Sequence, residues 1–308
     1  MRPATAAEAL HGLIRVRPHG WLTAPLPTNP AAAADLLHQA RRDHAGHPAA
    51  GGPLEVLAAR ATAAVAALGT PPTAVLKLHA DADAYNAELL AYSLVGHCPV
   101  LPRLLGAADA SRSLLLEHLD DPVDWEPADA PAALVEAVAA VHAAPAHLGA
   151  ADAEALAPFR LDRLTVATAP AWISDPDAWH TTLTLCTRAH GPEHVPVGHL
   201  DLKPEHARHR AGHRAVCLID IETLRPDVTG LIDLITLPAV LRQAGRPMPG
   251  PAVRELYREA TARHGARWTT PDLRAALIAY QRATGLATLS GLDQAPGGRR
   301  PAAAPTHP

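Results

Sequence analysis

The sequence predicts an α+β fold with two lobes, a small N-terminal sheet lobe and a larger helical C-terminal lobe. Three observations carry this. Short apolar runs with strand-like alternation concentrate before residue 120. Longer stretches with apolar residues at helical spacing follow it. The apolar fraction is 48%, yet aromatics make up only 3%, so the core is built from Ala, Leu and Val. The predicted division is 1–119 for the first lobe, with 1–50 a helical extension, 120–293 for the second, and 294–308 a disordered tail.

In chain order, "AAEALHGLIR" and "AAAADLLHQARRDH" read as helical patches, and "AGHPAAGGP" as a loop. "LEVLAAR" and "TAAVAAL" are short apolar runs; their alanines leave open two strands or a single helix. "GTPP" is a turn. "TAVLKLH" alternates Val75, Lys77 and His79 against Ala74, Leu76 and Leu78, the pattern of a strand. "DADAYNAELLAYSLVGH" is a helix with Asp81 or Asp83 as its N-cap. "VLPRLLGAAD" and "RSLLLEHL" are two strands around a turn. "PAALVEAVAAVHAAP" is an amphipathic helix ending at Pro145, and "DAWHTTLTLCTRAHG" a helix stopped by Gly191. "VCLIDIE" is a short strand. "LIDLITLPAVLRQAG", "GPAVRELYREATARHG" and "TPDLRAALIAYQRATGLATLSGL" are helices.

Composition excludes several classes. The net charge of −4 gives no footprint for nucleic acid. Three widely spaced cysteines, with no CxxC, argue against a disulfide framework or structural zinc and for a reducing compartment. The first residues lack a secretory apolar core, and no long uncharged apolar run suggests a membrane span, so the expected location is cytoplasmic. Oligomeric state is not readable.

The chemistry gathers in "GHLDLKPEHARHRAGHRAVCLIDIETL" and in the lysine strand. Lys77, flanked by apolar residues, needs an anionic partner. Glu88, on the following helix, can supply it. Asp201 suits a base that takes a proton from an acceptor hydroxyl, and Lys203 a cation that offsets developing charge. Asp220, at the end of a short strand, suits a divalent metal, with Glu222 serving a second metal or its waters. Asp233 suits a structural role, capping backbone N–H groups of the Asp201 loop. A competing reading uses His206, His209 and His213 as one helical face of a metal hydrolase. The glycine in "HRAGHR" favours a hairpin there instead.

In this order these pieces resemble the aminoglycoside phosphotransferase and choline kinase family, a branch of the protein-kinase-like fold. "HLDLKPEH" followed by "LIDIE" resembles that family's H-G-D-x-x-x-x-N loop and I-D-W-E strand. "LPRLLG", "LLLEHL" and "LVEAVAAVHAAP" resemble further family segments, and the likeness spans roughly Leu54 to Leu237. "HLDLKPEH" also looks like the protein-kinase loop. Only thirteen residues separate Asp220 from Asp233, however, and no A-P-E follows, so a peptide-binding segment has no room.

The resemblance implies transfer of phosphate from ATP, or GTP in its place, to a hydroxyl of a small molecule, with Mg²⁺, or Mn²⁺ in its place. An antibiotic is one such acceptor. It implies Asp201 and Lys203 as catalytic, and Lys77 and Glu88 on the nucleotide phosphates. It places Glu117 to Leu119 as the hinge whose backbone meets adenine. It implies Asp220, His206 and Glu222 at metal, and His199 and Asp233 as support. Acids after the catalytic strand would meet the acceptor, here Asp227, Glu255 and Glu259. Two departures stand out. The nucleotide-loop glycines would fall at Ala58, Arg60 and Ala63, which reach positive φ only at a cost. His206 replaces the loop's Asn, and imidazole suits Mn²⁺ better than an amide does, so Mn²⁺ is expected to support activity as well as Mg²⁺. A catalytically silent nucleotide-binding module is the alternative.

Overall fold

The computed structural model of the chain describes residues 24–119, 121–147, 153–154, 156–170, 173–199, 201–210, 215–224 and 229–285. The first helical patch, the tail, Trp172, His213 and Asp227 lie outside the described residues.

Helix α1 (Pro30–Arg42) starts at Asn29, whose side chain accepts from the N–H groups of Ala31 and Ala32. It lays Ala33, Leu37 and Ala40 on a five-stranded antiparallel sheet. The strands are β1 (Leu54–Ala59), β2 (Ala63–Gly69), β3 (Pro72–His79), β4 (Leu104–Ala108) and β5 (Ser113–Glu117), in the order β1-β2-β3-β5-β4. The two alanine-rich runs are therefore strands. Ala64, Ala66 and Leu68 face α1, where their small side chains admit the helix, and tertiary packing overrides the weak strand preference of alanine.

Strand β3 divides as its alternation predicts. Ala74, Leu76 and Leu78 pack towards α1, and Lys77 and His79 point to the opposite face and helix α2 (Ala82–Val95). Asp81, not Asp83, caps α2, accepting from the Ala84 N–H at 2.9 Å.

Beyond residue 120 the chain is mostly helical, as expected. The helices are α3 (Ala130–Ala143), the short α4 (Leu161–Leu164), α5 (Pro176–His190), α6 (Leu231–Gln243), α7 (Gly250–Arg263) and α8 (Thr270–Thr284). Gly191 ends α5 at φ 94°, where glycine alone avoids strain. A small second sheet also lies here: β6 (Asp121–Pro122), β7 (Ala207–His209) and β8 (Val216–Leu218). Strand β7 removes the helical histidine face, since His206 closes a 3₁₀ turn and His209 lies in a strand. Trp179 and Trp268 are core residues, and Cys98, Cys186 and Cys217 are free and buried. Among the described residues no helix is long and apolar enough to cross a membrane.

One crevice behind the site holds an unusual pair. The rings of His190 and His194 stack at 4.4 Å, and the Trp268 indole N–H donates to His190 Nε2 at 3.1 Å. Burial pushes His190 well below the ordinary imidazole range, and burial, with a smaller push from His142, takes His194 down to about 4. A depressed imidazole binds fewer protons folded than unfolded, so its stabilisation is complete above about pH 6.5 and is lost as pH falls below it. The melting temperature is expected to drop between about pH 6.5 and 4.5, before the carboxylates titrate. In a His190→Gln, His194→Gln double variant the drop should shrink; a drop of unchanged size would refute this assignment.

Candidate active site

The site is assembled from β3, α2 and the two loops that flank β7 and β8. Lys77 Nζ stands 2.9 Å from Glu88 Oε2, 2.8 Å from Asp220 Oδ1 and 2.9 Å from Glu222 Oε2. The expected strand lysine and helix glutamate do meet. Burial by itself would depress the lysine, but Glu88 first, then Asp220 and Glu222, hold it well above its ordinary range. Against the same burial, Lys77 holds both Glu88 and Asp220 below the usual carboxylate range. Their ionised forms therefore stabilise the fold above the ordinary carboxylate pKa, and that contribution is lost as pH falls through the depressed values.

His79, two residues after Lys77 on the same face, is a partner that the sequence reading missed. Its Nε2 lies 3.0 Å from Glu88 Oε2, close enough for an ion pair though poorly aligned as a hydrogen bond. The signal was present in the alternation, which puts any residue at position 79 beside the lysine.

Asp220 leaves β8 in the left-handed region, φ 62°, ψ 52°, which aspartate tolerates better than most residues. This turn lets one carboxylate face two ways. Oδ1 meets Lys77, and Oδ2 lies 3.5 Å from His206 Nε2. His206 Nδ1 lies 2.8 Å from the backbone oxygen of Asp201. A carbonyl only accepts, so Nδ1 carries the proton, and in the neutral ring the lone pair of Nε2 faces Asp220. A metal-ligating histidine has this arrangement, with its second nitrogen donating to a carbonyl. Asp201, His206 and Asp220 each offer a ligand atom within 4.8 Å of the others, and this mixed imidazole and carboxylate set fits a divalent cation. Glu222 lies outside this group; it reaches Lys77, and its carboxylate, Glu88 and His79 form a second set of ligand atoms within 4.8 Å of one another.

The Asp201 loop is fixed from behind. Asp233, fully buried in the first turn of α6, accepts from the His199 N–H at 2.6 Å and meets His142 Nε2 at 2.9 Å, while His142 Nδ1 meets the Tyr257 hydroxyl at 2.8 Å. Asp233 thus accepts from a backbone N–H of the segment that carries Asp201. His199 Nε2 donates to the Ile219 oxygen at 3.1 Å, leaving Nδ1 to accept from the Asp201 N–H at 3.4 Å, and burial keeps this imidazole below its ordinary range. Gly230 has no room for a side chain, because a Cβ there would stand 2.2 Å from His142 Nδ1. Asp201 itself is paired with Lys203 at 2.8 Å, a contact that raises the lysine's pKa. Side-chain exposure rises from 9% at Lys77 through 29% at Asp220 to 37% at Asp201 and 43% at Lys203, so the Asp201 end is the open one.

Other expected residues make the following contacts. The Glu117 N–H donates to the Arg103 oxygen, and its carboxylate takes two bonds from Arg210 at 3.2 Å; Leu119 is buried. Glu255 and Glu259 lie on α7 and pair with Arg258, with Glu255 also accepting from Thr270.

No protein-family model matches the chain, and no curated protein does. Among solved structures it is similar to the macrolide 2'-phosphotransferase of Brachybacterium faecium, at 21% identity and TM-score 0.49 over 86% of this chain and 99% of that one. It is also similar to an ethanolamine kinase of Plasmodium vivax, at 12% identity and TM-score 0.46 over 92% and 93%. A choline/ethanolamine kinase family protein of Mesorhizobium loti shows 17% identity and TM-score 0.38 over 80% and 99%.

Replacing Asp233 by Ala strips the His199 N–H and His142 Nε2 of their shared acceptor. Each buried donor left unpaired costs about 1–3 kcal/mol, and urea unfolding should report a loss of that order. A variant as stable as the parent would remove Asp233 from its place behind the loop.

Proposed function

We propose that the chain is a small-molecule kinase, transferring the terminal phosphoryl group of ATP, or of GTP, to a hydroxyl. The observation that supports this most is the bridging position of Asp220, between Lys77 on one side and His206 of the Asp201 loop on the other. On this reading a cation for phosphates, a metal-binding pair and a base would adjoin one another, with the Asp201 end the most exposed.

Lys77, oriented by Glu88, would hold the nucleotide phosphates. Asp220 and His206 would hold a divalent ion, which when bound offsets charge on those phosphates. Asp201 would accept the proton of the acceptor hydroxyl as its oxygen bonds to phosphorus and the bond to the departing nucleoside diphosphate breaks. Lys203, now paired with Asp201, is placed to meet charge on the phosphoryl group at the open end. The short run from Asp220 to Asp233 favours a small acceptor, and a hydroxylated antibiotic belongs to that class. Glu255 and Glu259 already serve Arg258, which weakens their candidacy for the acceptor.

A radiolabelled-phosphate screen over hydroxylated antibiotics and metabolites tests the activity. With a positive acceptor, Asp201→Asn is expected to lower turnover by about 10²–10⁴-fold while nucleotide affinity stays within a few-fold. Retained turnover would rule out Asp201 as base. Parent enzyme should turn over with Mn²⁺ at least as well as with Mg²⁺. His206→Asn should shift the balance towards Mg²⁺, read as the ratio of kcat/KM in the two metals. A ratio that does not move would separate His206 from the metal.

A further inference from the structure

An ammonium group has three N–H bonds, and in this structure three carboxylates stand at 2.8–2.9 Å from that of Lys77. A phosphate arriving here meets a lysine already hydrogen-bonded to Asp220 and ion-paired with Glu88 and Glu222. It also meets an excess of negative charge, because Glu88, Asp220 and Glu222 surround one ammonium and Asp201 lies in one group with Asp220. The three carboxylates are not equivalent. Glu88 is 1% exposed and belongs to the packed face of α2. Asp220 and Glu222 are 29% and 36% exposed and sit on the short turn after β8, so they can exchange partners.

We infer that Glu222, together with Asp220, locks Lys77 in the metal-free protein, so that nucleotide binding is conditional on a divalent cation that draws these carboxylates off the ammonium. This rests on the nucleotide reading of Lys77 and gives Glu222 a role distinct from serving as a second metal ligand. His79 completes the device. Its Nε2 shares Glu88 Oε2 with Lys77, so Glu88 keeps a buried neighbour when Lys77 turns to phosphate. Linkage makes the coupling reciprocal. Lys77 competes with metal for the carboxylates, as the carboxylates compete with phosphate for Lys77.

Calorimetric titration of the full chain with ATP, once in EDTA and once in excess Mn²⁺, tests this. The parent is expected to bind ATP at least about a hundredfold more weakly in EDTA. Glu222→Ala should recover about tenfold or more of that loss, with melting curves confirming a folded variant. Equal ATP affinity in EDTA and Mn²⁺ for the parent, or a Glu222→Ala variant no tighter than the parent in EDTA, overturns the lock while leaving the kinase reading intact. No ATP binding even in Mn²⁺ sinks that reading and the lock with it. Independently of nucleotide, Lys77→Met should tighten Mn²⁺ alone by about tenfold, read from the loss of the free-ion EPR signal. An unchanged or weaker Mn²⁺ affinity also overturns the lock.

Discussion

The ammonium of Lys77 is the point on which the site depends. It lies on β3, its buried partner Glu88 on α2, and its other two partners, Asp220 and Glu222, on the turn after β8. A buried cation without anions would carry a desolvation cost of several kcal/mol, and so would Glu88 without a cation. Each therefore requires the other's element to be in place. Two consecutive elements, β3 and α2, and the distant turn after β8 become one unit because neither Lys77 nor Glu88 can leave its buried charge unpaired. Such a cluster is weak evidence for net stability, since burial opposes the Coulomb gain. Its effect is on geometry.

Around this unit the polar contacts divide the work. Asp233, His142 and Tyr257 hold the Asp201 loop from behind, and Arg210 holds the joint between the lobes from the side. Arg210 reaches the backbone oxygens of Pro99 and Leu101 and both carboxylate oxygens of Glu117. A planar guanidinium can satisfy that many acceptors in one plane, and a lysine cannot. Glu117 thus ties the sheet to β7 through its side chain, and its N–H is spent on Arg103.

Much of this was legible in the sequence, for identifiable reasons. Alternation fixed which face of β3 carries Lys77, and helical spacing with Asp81 fixed the start of α2, so the Lys77–Glu88 pair followed. The order of Asp201, Asp220 and Asp233 pointed to three acids that the fold does bring together, with Asp233 behind the loop that carries Asp201. What stayed hidden depends on contacts across more than ninety residues. Asp233 with His142 and Arg210 with Glu117 are examples, since no local pattern records them. The strands β1 and β2 were ambiguous because alanine is a poor strand former, and α1, which accepts their small side chains, reads as an extension rather than as part of the core. The contact of Glu222 with Lys77 was not legible, because it depends on the left-handed turn at Asp220 and on a strand more than a hundred residues away.

The packing explains how the lysine can be held so closely and still be approached. The apolar core under the helical lobe runs without a break into α2 and the inner face of β5, through Leu94, Val95, Leu101, Leu114 and Leu116. The outer face of the sheet and α1 form a separate cluster. The loop after α2 is anchored to β8, where the Leu218 N–H donates to the Val100 oxygen at 2.8 Å. Helix α2, and Glu88 with it, therefore belongs mechanically to the same core as β8 and Asp220. The Lys77–Glu88 contact is where β3 meets that core, and the open side is left to Asp220, Glu222 and Asp201. Rearrangement at the site thus needs only side chains on the turn after β8 to change partners, with the apolar core untouched.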